Sequence, residues 1–135
     1  MEIMKRFIIS LVVILTAAFS ASATKLQATQ CSIYRCQHPS NGFVTAGSAI
    51  YSHASSDVLD FNYNIGKMVW KDSKGSSSVD MHNVRTSGNT TTFNTVYNYV
   101  RATKSGSTWY VDIIYRDGND WYMIKYTCKE KNGLF

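Results

Sequence analysis

Residues 108–128 read TWYVDIIYRDGNDWYMIKYTC, two runs of alternating side chains around Asp117-Gly118-Asn119-Asp120. Gly118 can take the positive φ that a two-residue hairpin loop needs, so the stretch reads as two antiparallel strands. Pairing outward from the loop sets Tyr115 opposite Tyr122, Ile113 opposite Ile124, Val111 opposite Tyr126 and Trp109 opposite Cys128. These residues share one apolar face. Tyr110, Asp112, Ile114, Arg116, Trp121, Met123 and Lys125 fall on the other. A four-residue loop would slide the partners by two and leave each residue on its face, and only a three-residue loop would flip the assignment.

Upstream, Lys104-Ser105-Gly106-Ser107 and Ser87-Gly88-Asn89-Thr90 repeat the turn signal. From Val79 onward the chain therefore reads as a meander. With Ser105-Gly106 as the loop, Arg101 falls opposite Tyr110 and Val100 opposite Val111. The dry face then gains Val79, Met81, Val96, Val100 and Ala102, and the charged face gains Asp80, His82, Val84, Phe93, Thr95, Tyr97, Tyr99 and Arg101. In residues 58–70, VLDFNYNIGKMVW, apolar parity changes across Gly66, as a glycine bulge in one continuous strand would produce. Residues 48–53 form a weaker strand, and Lys74–Ser78 is the nearest thing to a flexible stretch. No window after the leader sustains a helical apolar period. The expected class is all-β: an antiparallel meander of about six to eight strands forming a small sandwich or flattened barrel.

The first residues carry a different signal. Lys5 and Arg6 precede an apolar run from Phe7 to Phe19, and Ala21-Ser22-Ala23 follows. The run falls short of the ~20 residues a bilayer span needs, and small residues stand where signal peptidase cuts. Residues 1–23 thus read as a cleaved signal peptide, 24–42 as an N-terminal arm, and 43–135 as the β domain. The protein is expected to be secreted or periplasmic, with no membrane span after cleavage. Lipidation at Cys31 fits poorly, because Gln30 precedes it. The chain carries a net charge of +5, of which Glu2, Lys5 and Arg6 contribute +1. The remaining basic residues are scattered rather than gathered in a stripe, so no nucleic-acid partner is expected.

Export implies an oxidising compartment, where cysteines pair. Cys128 lies on the dry face of the last strand, and a bond to Cys31 or Cys36 would tether the arm. Spacing alone does not choose between them, and a local Cys31–Cys36 bridge is the alternative. The odd thiol could join two copies. A metal site at Cys31, Cys36 and His38 lacks a fourth ligand, so no metal and no cofactor are expected.

Two residue sets suggest function. His82 and Asp80, with Arg101 across the sheet, could run general acid–base cleavage as in a small exported nuclease-like hydrolase. Yet neighbours two apart on a strand meet constantly, and no glycine-flanked nucleophile elbow accompanies them. Tyr97, Tyr99, Tyr110 and Trp121, with Arg116 and Lys125, instead form an aromatic, charged sheet face of the kind that grips proteins or sugars. That face could equally lie beneath residues 58–70 as a second core. The leading expectation is a non-catalytic binding module for a protein or polysaccharide. A hydrolase and a structural surface subunit assembling through sheet edges are the alternatives.

Overall fold

The computed structural model describes residues 23–36 and 49–131. The leader expected at residues 1–23 therefore lies outside the described residues, save Ala23, which opens the first strand. Ten strands are described: β1 (Ala23–Cys36), β2 (Ala49–Ala54), β3 (Val58–Asn62), β4 (Lys67–Asp72), β5 (Gly75–Asp80), β6 (His82–Ser87), β7 (Thr90–Asn94), β8 (Asn98–Ser105), β9 (Thr108–Asp117) and β10 (Asp120–Glu130). The fold is all-β and antiparallel. The strands form one sheet in the order β5-β4-β3-β1-β10-β9-β8-β7-β6, with β2 added beside β1.

The sheet nearly closes into a barrel. Its two end strands, β5 and β6, run in the same sense and are joined by Met81 alone, so they act as one bent strand whose halves serve opposite edges. Met81 is buried, and its amide donates to the Gly66 carbonyl at 2.7 Å. At the next residue but one, Asn83 takes a φ of 57°, where the β6–β7 pairing shifts register between His82 and Arg85. β2 and β3 likewise share one partner. They run along successive halves of β1, and the break at residues 55–57 matches a bulge between Ala28 and Gln30.

The β9–β10 hairpin has the expected register at every rung. In the β8–β9 hairpin the partners slide by two, so that Arg101 pairs with Asp112 and Val100 with Ile113. The reason is the loop. Gly106 occupies its first position with φ 62°, as Gly88 and Gly118 do in theirs. A positive φ followed by an ordinary one is the II′ turn, which wants glycine first. A slide of two leaves each side chain on its face.

The core is the barrel interior. Leu26, Ala28, Cys31, Leu59, Phe61, Met68, Phe93, Val100, Ala102, Val111, Ile113, Tyr126 and Cys128 fill it together with Met81. Several expectations need correction. Residues 24–36 are not an arm but the longest strand, held by β10 on one side and by β2 and β3 on the other. Gly66 makes no bulge: it closes a turn between β3 and β4, and the two apolar parities meet as the pairs Phe61–Met68 and Leu59–Trp70. Gly75–Asp80 is strand rather than flexible linker. Phe93 belongs to the core and Val96 to the surface, because the chain breaks at residues 95–97 and changes parity there.

No disulfide forms: Cys31, Cys36 and Cys128 are thiols. Cys31 and Cys128 point into the same core from neighbouring strands. Cys36 lies opposite Trp121, far along β10 from Cys128, and cannot reach it. Among the described residues no group of three metal-ligating side chains exists.

Candidate functional site

Towards the β9–β10 turn the inward-facing row changes from aliphatic to aromatic, from Val111 and Ile113 to Tyr115, and from Ile124 to Tyr122. Past the filled core the barrel opens here. The Tyr115 and Tyr122 rings stack at 5.6 Å, and the Arg35 guanidinium stands 5.8 Å from the Tyr122 ring centre. Burial, with neighbouring Tyr51, Asp117 and Tyr122, pushes the Tyr115 hydroxyl above the ordinary phenol range. Trp70 closes the floor. Its Nε1 donates to the Tyr126 hydroxyl at 3.2 Å, and that hydroxyl donates to Asp57 Oδ2 at 2.6 Å. This chain of bonds fixes the Trp70 ring at right angles to Tyr126.

The β7–β8 turn supplies the lip. Thr95 Oγ1 accepts from the amides of Tyr97 and Asn98 at 3.2 and 3.0 Å, and the Thr95 amide donates to the Asn98 carbonyl at 2.8 Å. The turn is thereby rigid, and Tyr97 projects from it 74% exposed. Trp70, Val96, Tyr97, Asn98, Tyr115, Arg116, Trp121 and Ile124 together line a depression of ≈ 600 Å³. That volume lies within the ~300–1,000 Å³ usual for ligand sites.

Of the residues expected to bind, Tyr97, Arg116 and Trp121 line this depression. Tyr99 adjoins it from the outer surface: its ring meets Trp121 at 6.3 Å across β9, above buried Ile114. Tyr110 and Lys125 stand apart. Lys125 Nζ lies 3.2 Å from Asp112 Oδ1, an ion pair outside hydrogen-bond geometry, and Tyr110 lies beyond it on the same face. Residues 58–70 do not cover the aromatic face. As β3 and β4 they are part of the barrel wall rather than a layer over that face.

Trp70, Val96, Asn98, Tyr115 and Ile124 were not legible as site residues. Their parity assigns them to the dry face, and only the change from aliphatic to tyrosine near the turn hints that this face opens.

The candidate catalytic set is dispersed. Asp80 ends β5 and faces Lys67, whose Nζ donates to it at 2.6 Å, holding its carboxyl below the usual range. His82 opens β6, exposed, opposite Asn94. Arg101 donates through Nε and Nη2 to buried Asp112 at 3.0 and 2.7 Å. Two of the three groups thus have structural partners, and among the described residues none of the three lines either the depression at the barrel mouth or the one beside residues 72–77.

The chain matches no family model and is similar to no curated protein and no solved structure, so its own geometry carries the reading of the site.

Proposed function

We propose that this chain is an exported, non-catalytic binding module that takes its ligand on the rings at the barrel mouth. The observation that supports this most is that Tyr97 and Tyr99 are exposed, while Trp70, Tyr115 and Trp121 extend the same aromatic surface inward. Rigid rings present large contact area at little cost in side-chain entropy. Export rests on the leader sequence, and the ligand is accordingly an extracellular or envelope polymer.

The test is capture of extracellular polysaccharide and protein fractions by the leaderless protein. Tyr97→Ala combined with Trp121→Ala should weaken capture at least ~10-fold, the size expected from losing one or two hot-spot rings. Unchanged capture would remove the mouth from the account. The hydrolase alternative would replace it if clean protein cut RNA, DNA or glycan and His82→Ala abolished the cut. Arg101→Leu should instead cost about 3 kcal/mol of stability, because it takes the guanidinium from a buried carboxylate and leaves only Lys125.

A further inference from the structure

We infer that the ligand of the barrel mouth is a neutral saccharide, a deepening that rests on the binding reading above. The first ground is what the backbone withholds. Depression-lining strands β4, β8, β9 and β10 each have a hydrogen-bonded neighbour on both sides. Among the described residues the lining strands themselves therefore offer no open edge, so an extended peptide could not add itself to any of them, the main-chain mode by which sheets hold peptides. Holding on the lining then falls chiefly to side chains.

The second ground is the chemistry of those side chains. A helix-binding groove wants an aliphatic stripe for residues spaced along one face. Here the two aliphatic residues of the lining, Val96 and Ile124, stand among Trp70, Tyr97, Tyr115 and Trp121, flat π faces with the hydrogen-bonding groups of Asn98 and Arg116 at their rims. The complementary ligand has apolar C–H faces and a polar edge. A pyranose ring has that shape: its axial C–H face stacks on an aromatic ring while its hydroxyls reach amide and guanidinium groups.

The third ground is charge. Although the chain is basic overall, the mouth is balanced. Arg35 pairs with Asp120 at 2.9 Å, and Arg116, which donates through Nε to the Gly118 carbonyl at 2.7 Å, is followed directly by Asp117. No excess of one sign gathers at the rings to favour an acidic or sulfated polymer.

Trp70 and Trp121 make intrinsic fluorescence the readout. The leaderless protein is titrated with oligomers of glucose, mannose and N-acetylglucosamine, and with uronate and sulfated oligomers for comparison, at 50 and 500 mM NaCl. At least one neutral oligomer should shift the fluorescence with an affinity that changes less than twofold between the two salts, since screening acts on charges. Tyr97→Ala, at an exposed position where folding is not at risk, should weaken that binding at least fivefold. Trp121→Phe, which keeps a ring, should weaken it less. If no neutral saccharide binds, or if binding is confined to acidic oligomers and collapses at 500 mM NaCl, the inference fails. Capture of a protein that depends on Tyr97 and Trp121, without saccharide binding, would sink the saccharide and leave the binding reading standing. Saccharide binding indifferent to both substitutions would sink both.

Discussion

Burial pushes the Cys128 thiol up to about 12, with the nearby Cys31 thiol adding to the shift, and Cys31 itself is raised chiefly by burial. In the unfolded chain a thiol ionises near pH ~8.5. Between that pH and about 12 the unfolded state has released a proton that the folded state still holds. Stability must then fall as pH rises through this window, because the unfolded state binds fewer protons. Below it the contribution is fully present. Urea midpoints measured from pH 8 to 11 should therefore decline, and Cys128→Ala should flatten the decline at the cost of a lower midpoint at pH 8. A midpoint indifferent to pH in the parent would contradict a buried thiol. The face occupied by Cys128 was legible from parity. The placement of Cys31 and Cys36 was not, because the inward positions of TKLQATQCSIYRC are Leu26 and Ala28 and then Cys31 and Ile33, and the bulge at Ala28–Gln30 that reverses the parity leaves no mark in the sequence.

The strands differ in how plainly their sequences announce them. Although Asp112, Ile114 and Met123 on their charged face are buried too, β9 and β10 flank a glycine-led turn and keep their mid-strand charges on one parity, so even their register could be read. The β7–β8 connection could not. Phe93, Val96 and Val100 look like apolar positions of one long strand, and nothing in TTFNTVYNYV punctuates it with glycine or proline. The break is made by Thr95, whose hydroxyl oxygen accepts two backbone amides and so stands in for a turn residue. This one side chain reverses parity, sends Phe93 inward, exposes Val96 and aims Tyr97 at the mouth. Thr95→Ala removes both acceptor bonds and should cost about 1–2 kcal/mol, taking each bond at about 1. The loosened lip should also weaken ligand binding through Tyr97, whereas Thr95→Ser should restore both. Equal binding by the Ala variant would mean that Tyr97 needs no positioning.

Across the whole molecule the class followed from patterning and the closure did not. Alternation says which face is dry, and six to eight strands with one dry face are as compatible with two stacked sheets as with a barrel. What decides between them is that β5 and β6 are halves of one bent strand and that β2 and β3 divide β1 between them. Neither device has a sequence signature, since both arise from where tertiary pairing ends. Closure also ranks the strands by protection. β1, β9 and β10 are bonded on both sides and carry the fully buried Leu26, Val111, Ile113 and Ile114. β2 pairs only with β1 among the described strands, and all six of its residues are exposed. Its Ile50 and Tyr51 are both exposed and neither belongs to the buried core. Amide hydrogen exchange should therefore be slowest in β1, β9 and β10, at the level of global unfolding, and faster by several orders of magnitude in β2, where opening need expose almost no apolar surface. β6, whose six residues are likewise exposed, should exchange between these limits because its neighbour Met81 is anchored in the core. Exchange in β2 as slow as in β10 would mean that β2 is bound into the cooperative barrel, and the mouth beside it would then be built on a far stiffer wall than its pairing implies.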